Sequence, residues 1–424
     1  MEIVQRNKMQ YFQLKRNEIR PIDVLSAIVM LYYLNPLAMF YRSNMQMFVS
    51  IFCWTIFAAF SDYPSFSKAL TQKSVFYGAF VPITLVFMNL IHGTEIEGKI
   101  ILIAFTYIIA IFILQSSTRR QIRFILTCLY CQHFIVLVNT ISLLRKEPML
   151  ARLLAQGYTE ETLSYQGVFV GGYGFTYSTL FVALLFTYAI LFYKKKFLYV
   201  LLLFVECYFL LKAQYAISIL LYIVGTAIMF FLKILESKYK SIAIVFFPVL
   251  TLFGVILLIY LLLPLLTKTK LGFISSHIND LVELFAGRLL LEDQKFQRLP
   301  LYAKSLESFI NNPILGVGYI EEEIGKYEII GRHSTFFDYL AKWGIFPNFF
   351  MYLSMACFFN QVFNYLKQEK NIFVFVVIYL LLSIVNLSHT PEVMFTINVV
   401  VPLSLTLFKQ DNGLTSSAKR LMVN

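Results

Sequence analysis

Apolar runs, each about the length a helix needs to cross a bilayer, recur along this chain and leave it few folds to choose from. Windows of that size fall at 22–40, 44–61, 75–92, 100–116, 122–144, 173–193, 197–211, 214–232, 241–264, 346–366, 371–388 and 391–408. The expected fold class is all-α, a polytopic integral membrane protein of about 12 transmembrane helices. Only Lys212, Ala213 and Gln214 separate the seventh window from the eighth, so one long bent helix is the alternative there.

Composition points the same way. Of the 424 residues 58% are hydrophobic, 17% aromatic and 14% charged, outside the range of soluble globular domains. The net charge of +12 lies mostly in short loops, so the expected partner is the lipid bilayer and not nucleic acid. Assigning loops alternately to two sides places the N-terminal tail, Lys68/Lys73, Arg119/Arg120/Arg123, Lys194/Lys195/Lys196, Lys233/Lys238/Lys240, Lys367/Lys370 and Lys409/Lys419/Arg420 together. The other side's short loops hold little beyond Arg42, Lys99, Lys212 and a mixed-charge stretch at 145–161. By the positive-inside rule the first side is cytoplasmic, both termini lie inside, and the doubtful pair is two helices. No cleavable signal peptide is evident, since the first twenty residues are polar and basic. The chain then divides into N-terminal membrane helices over 1–264, a large extracytoplasmic loop over 265–345, three more spans over 346–408 and a cytoplasmic tail over 409–424.

The five cysteines stand singly or as Cys128-x-x-Cys131 within apolar runs, which reads as packing. The five histidines lack metal-ligand spacing, so neither a metal nor any other cofactor is expected. The chemistry is concentrated in the outer loop, above all between Arg298 and Trp343. Phe296, Leu299, Tyr302, Ala303, Leu306 and Phe309 recur there at helical spacing, an amphipathic helix along the membrane surface over 295–310 that Asn311, Asn312 and Pro313 end. MLARLLAQGY, at 149–158, is a second interfacial helix.

Several side chains of this outer face are candidates for chemistry. His333 follows Arg332 and opens the segment that returns to the bilayer; imidazole titrates near ambient pH and can serve as a general base. Arg298 either snorkels to headgroups or uses its fork to bind a diphosphate. Arg288 is its rival, with Glu292 and Asp293 close enough in sequence to pair with it. Lys212 and Gln214 stand at the outer ends of two helices. Gly316-Val317-Gly318 has no strand context and is not a nucleotide loop. Glu321, Glu322 and Glu323 read as a solvated loop, while His389 and Glu392 belong to the last outer turn.

At these residues the chain resembles the membrane superfamily of O-antigen ligases and Wzy-type polysaccharide polymerases. That family carries S-G-R-x-x-x-W, an amphipathic helix, N-P-L-x-G-x-G and H-N-x-x-L-x-x-L-x-x-x-G. Counted back from Asn312-Pro313-Ile314-Leu315-Gly316-Val317-Gly318, Arg298 stands in the arginine's place and Tyr302 in the tryptophan's. His333-Ser334-Thr335-Phe336-Phe337-Asp338-Tyr339-Leu340 and Gly344 match the second part, with Ser334 for asparagine. Upstream, Gly174-Phe175-Thr176-Tyr177-Ser178-Thr179 is similar to G-F-x-H-P-N, Tyr177 replacing histidine. Lys212-Ala213-Gln214-Tyr215-Ala216 occupies the position of S-R-[GT]-A, where Gln214 departs from the arginine and Lys212 offers a charge instead.

The resemblance implies a surface-polysaccharide polymerase of the bacterial plasma membrane: a metal-independent glycosyltransferase that moves a growing glycan from undecaprenyl diphosphate onto a lipid-linked repeat unit at the outer face. Donor and acceptor are both undecaprenyl-diphosphate-linked oligosaccharides, and a chain-length regulator is a further partner of such enzymes. His333 and Arg298 would be catalytic, with Arg288, Arg332, Lys212, Gln214, Tyr177, Tyr319, Asp338 and Glu392 binding diphosphate or sugar. A ligase acting on another acceptor is the alternative within the family. A flippase or secondary transporter is the alternative outside it, and should carry paired ionisable residues or broken helices at midplane, where Glu206 is the main charge in view.

Overall fold

A computed structural model describes residues 18–35, 43–93, 101–147, 150, 170–192, 197–213, 215–236, 298–318, 320–322, 326–328, 334–366 and 369–409. The span expected at 241–264, most of the interfacial helix at 149–158, Arg288, Gln214, Tyr319, Arg332 and His333 lie outside these residues; Arg298 is described in its backbone alone.

Helices occupy every expected span that falls on described residues. In chain order they are α1 Pro21–Leu34, α2 Asn44–Ser61, α3 Tyr63–Leu70, α4 Lys73–His92, α5 Ile101–Ser116, α6 Arg119–Leu144, α7 Tyr173–Phe192, α8 Phe197–Ala213 and α9 Ala216–Leu235. Beyond the loop follow α10 Arg298–Asn311, α11 Thr335–Trp343, α12 Ile345–Tyr365, α13 Ile372–Val385 and α14 Pro391–Lys409. Five of them, α4, α6, α7, α14 and the stretch Ile217–Leu235 of α9, are long and apolar enough to cross a membrane. α8 and α9 are separate helices, because Tyr215 takes an extended backbone (φ −91, ψ 95) between them.

Local signals explain many boundaries. Ser43 and Gln46 bond each other's backbone N–H groups, each at 3.1 Å, a capping box that starts α2. Gln121 accepts from the Thr118 N–H at 2.7 Å and donates to the Glu18 carbonyl at 2.6 Å, so one side chain starts α6 and tethers the chain before α1. Gly93 ends α4 in the left-handed region (φ 66), the usual glycine stop.

Two helices form the middle of the bundle. The apolar window of α7 is 83% buried and that of α14 is 94% buried, against 22% for α9. α7 packs on α8, α9 and α14, and α4 pairs with α5 and α12. The outer surface is oily: Met45, Phe48, Phe52 and Phe60 on α2, Phe76, Ile83, Phe87 and Leu90 on α4, and Phe197, Leu201 and Phe204 on α8 are all exposed. So much contiguous apolar surface is costly in water and natural against lipid tails.

α10 and α11 pack on each other, and α11 packs on α12 and α13. The apolar stripe expected along α10 divides: Ser305 is fully buried with Tyr302 and Phe309 partly buried beside it, whereas Ala303, Leu306 and Ile310 remain exposed. Glu321 and Glu322, expected in a solvated loop, instead join a two-stranded antiparallel ribbon, opposite Tyr327 and Lys326.

Candidate functional site

α11 begins two residues after His333, and its first turn is held from three directions. Ser334 is the N-cap: its Oγ accepts from the Phe337 N–H at 3.1 Å and donates to the Ser383 carbonyl at 3.2 Å. Serine and asparagine are interchangeable in that capping role. The Thr335 N–H donates to the Asn386 carbonyl at 3.1 Å, and Thr335 Oγ1 accepts from the Ser388 N–H at 2.7 Å. The α11 start is therefore pinned to the turn between α13 and α14. Asp338 adds the third direction, accepting from Ser305 Oγ of α10 at 2.8 Å and from the Ser334 N–H at 3.1 Å. Tyr302 completes the tie, donating to the Val385 carbonyl at 2.7 Å with its ring 5.8 Å from that of Phe337.

The far end of α11 is clamped by the turn after α10. The Val317 and Gly318 N–H groups donate to the Ala341 and Lys342 carbonyls at 2.9 and 3.0 Å, and the Ile345 N–H donates to Pro313 at 2.9 Å. Gly316 and Gly344 have φ of 70 and 73, and a Cβ on either would lie 2.3 Å from the Lys342 oxygen or 2.2 Å from the Ile314 oxygen. Backbone meets backbone too closely there for any side chain. His92, in the last turn of α4, bonds the Leu315 carbonyl through Nε2 at 3.1 Å and fastens the turn to the bundle.

The same end of the bundle gathers the upstream segments. Tyr177 is fully buried at the start of the second turn of α7, its hydroxyl accepting from Asn386 Nδ2 at 2.7 Å. Its ring lies 4.9 Å from that of Tyr173 and 6.1 Å from that of Tyr215, the residue between α8 and α9. Gly174 lets α7 approach α14: a Cβ there would stand 2.4 Å from Glu392 Oε2 and 2.6 Å from Thr390 Oγ1. Lys212 is not drawn in. It is exposed, with its ammonium 5.8 Å from the ring of Tyr208 on its own helix.

His389 sits beside this cluster, its ring 5.2 Å from that of Tyr339, with Nε2 3.3 Å from Tyr379 Oη and Nδ1 3.3 Å from Ser388 Oγ. Burial pushes its pKa down to about 3, so the ring is neutral and serves these hydrogen bonds rather than a charge. No protein-family model matches this chain, and no curated protein does. Its site is therefore read from its own residues.

Glu392 is buried in the first turn of α14, below Thr390, whose hydroxyl accepts from the Val393 N–H at 3.4 Å. It lines an internal cavity with Gln132, His133, Ser178 and Thr396. Ser178 and Thr396 share a hydrogen bond of 2.5 Å, and Thr396 opens a π-helical turn, Thr396–Val400, inside α14. His133 of α6 bonds both carboxylate oxygens of Glu206 on α8, at 3.0 and 3.2 Å, with Glu206 fully buried. A histidine and a glutamate in the middle of two apolar runs were the available signal; only the packing of α6 on α8 makes them a pair. Among the described residues no three His, Cys, Asp or Glu side chains are grouped to hold a metal ion.

Asn386 and Ser388, which hold the cluster together with Thr335, carry no motif signal in the sequence. They are small polar residues in an apolar tract, and such residues more often end helices.

Proposed function

We propose that this chain is a surface-polysaccharide polymerase of the O-antigen ligase and polymerase type. It would cross the bacterial plasma membrane about twelve times, with 265–345 facing outward, and transfer a growing glycan from undecaprenyl diphosphate onto a lipid-linked repeat unit. One observation carries this reading. The start of α7 with Tyr177, the Tyr215 turn and the cap of α11 directly after His333 are far apart in sequence and meet around Asn386. These are the segments on which the family resemblance rests.

The chemistry is glycosyl transfer with a diphosphate leaving group. Arg298 stands at the first turn of α10, and its fork suits the negative charge growing on the departing phosphates; Arg332 would help to offset that charge in place of Lys212, which is not drawn in, with Arg288 the rival to Arg298. His333, which directly precedes the α11 cap in sequence, would take the proton of the acceptor hydroxyl. Tyr177, Tyr319, Gln214 and Glu392 are placed in this reading as sugar partners. Asp338 has a positioning part, since both its oxygens are engaged in joining α10 to α11. Polar groups converging at one end of an oily bundle suit a substrate whose sugar stays in water and whose lipid stays in the bilayer.

The deciding experiment is purified protein with a synthetic undecaprenyl-diphosphate repeat unit, read out by product length. A ladder supports the polymerase, a single transfer to another acceptor means a ligase, and no product with any acceptor sinks both.

A second reading, transport, is favoured by a separate observation: the buried His133–Glu206 pair and the π turn of α14 beside the cavity are the paired ionisable groups and interrupted helix that transporters place within the membrane. Proton-dependent uptake or flipping of a lipid-linked oligosaccharide by proteoliposomes, lost in E206Q, would establish it in place of the enzyme.

A further inference from the structure

We propose that Met351, Met355, Met394 and His389 form a binding site for a single soft monovalent metal ion of the Cu(I) class, between α12 and the start of α14. The site is independent of the glycosyl-transfer reading. These four residues line one small cavity together with Tyr379 and Asn398. Met351 and Met355 stand one turn apart on α12, so their side chains share a face, while Met394 comes from α14 and His389 from the turn before it. The cavity measures about 10 Å³, the lower limit for one water and enough for one metal ion. The five histidines are too dispersed to hold a metal among themselves, but here one of them meets three thioethers.

The hydrogen bonds around His389 decide which of its nitrogens carries the proton. Ser383 Oγ donates to the Tyr379 carbonyl at 2.9 Å, which spends its only proton. In the 2.6 Å contact between Ser383 Oγ and Ser388 Oγ, the donor is therefore Ser388. Ser388 Oγ then has no proton left for His389 Nδ1, 3.3 Å away, and can only accept from it. Nδ1 carries the hydrogen. Burial keeps the ring neutral, so Nε2 holds a lone pair, directed at Tyr379 Oη 3.3 Å away on another wall of the cavity. At that length the phenol holds the lone pair weakly, and rotation of its hydroxyl releases it.

A histidine whose second ring N–H is spent on a fixed acceptor is oriented as metal-ligating histidines are. Methionines alone would be read as packing, since the side chain fills irregular gaps in cores. The oriented lone pair beside three of them is what marks a ligand set. Thioethers are soft donors and select Cu(I) over harder ions. All four ligands are neutral, and no carboxylate or ammonium group lines the cavity. A divalent ion would bring two uncompensated charges into a water-poor interior, and a monovalent one brings the least.

The test titrates Cu(I), under reducing and oxygen-free conditions, into the detergent-solubilised full-length chain against the chromophoric competitor bicinchoninate, with Ag(I) as a redox-inert probe. Thiolates also bind Cu(I), so the five cysteines are first replaced by alanine. One equivalent per chain should bind, with sulfur and nitrogen neighbours in its X-ray absorption spectrum. M351L or M394L, which nearly keeps the volume, should weaken binding by at least about 10-fold with little change in melting temperature. S388A removes the acceptor of the Nδ1 proton and should weaken it by about 10-fold through ring orientation alone. No bound equivalent, or equal binding by the M351L/M355L/M394L variant, overturns the proposal and leaves the methionines as packing. If the cysteine-free chain does not fold, wild type and the triple leucine variant are compared directly. One equivalent fewer in the variant is then the result expected, and equal counts overturn the site.

Discussion

Asp338 accepts from Ser305 Oγ of α10 and from the Ser334 N–H at the cap of α11. In the proposed mechanism it ties α10 to α11, and the proton chemistry is assigned to the imidazole five residues earlier. H333A should abolish chain extension while expression and membrane insertion persist; normal polymer from that variant removes histidine from the mechanism. R298K should be severely impaired, since a point charge cannot reproduce the guanidinium fork, and wild-type activity there would make the arginine an interfacial anchor only. His389 gives a prediction about pH. Its folded pKa of about 3 lies below the ordinary value near 6.5. Between those values the unfolded chain holds a proton that the folded chain lacks, so stability is full above pH 6.5 and falls as pH drops toward 3. Melting temperature of the detergent-solubilised protein should therefore fall from pH 7 to pH 4, and by less in H389Q; an equal fall would show that other groups govern acid sensitivity. Residue types were readable from the chain, but partners were not. Glu206 stood out as a charge in an apolar run, yet its partner is 73 positions away on another helix.

At the scale of elements, the short helix α11 is fixed at both ends by other parts of the chain. Its N-terminus is capped by Ser334 and tied to Asn386, and its C-terminus is enclosed by the turn from Pro313 to Gly318. A nine-residue helix is marginal alone in water, so these ties are what keep it formed. Gly344 is the tightest of them. G344A would force a Cβ to within 2.2 Å of the Ile314 carbonyl at a backbone conformation of φ 73, ψ −166. Such a conformation costs a non-glycine residue about 1–3 kcal/mol before any clash. The variant should melt well below wild type, and more polymer activity than melting predicts would show that the turn can relax. The glycines, proline and asparagines of this stretch were legible as punctuation. That they clamp α11 was not, because the contact is between backbones, and sequence periodicity reports only side-chain faces.

At the scale of the whole molecule, the central position of α7 and α14 decides where polar side chains can be held. Both begin at the end of the bundle where α11 docks, and both carry polar residues in their first two turns: Thr176, Tyr177 and Ser178 on one, Glu392 and Thr396 on the other. Buried among neighbours, these groups find partners that a lipid-facing helix could not give them. The orientation proposed from the loop charges is open to direct test. In a cysteine-free background, a cysteine placed within 265–345 should react with an impermeant maleimide in intact cells, and one at Lys238 only after permeabilisation. The reverse pattern would invert the topology and put the cluster on the cytoplasmic side, away from a lipid-linked glycan.

By itself the sequence determined the helical membrane class of the fold and the positions of the apolar helices that fall on described residues. Hydrocarbon demands long apolar runs, and such runs are visible one residue at a time. Tertiary structure alone decided which helices are central, that His133 meets Glu206, and that Asn386 joins Tyr177 to the start of α11. Each of those is a contact between segments far apart in the chain, set by how helices pack and by which polar groups must be satisfied once water is excluded.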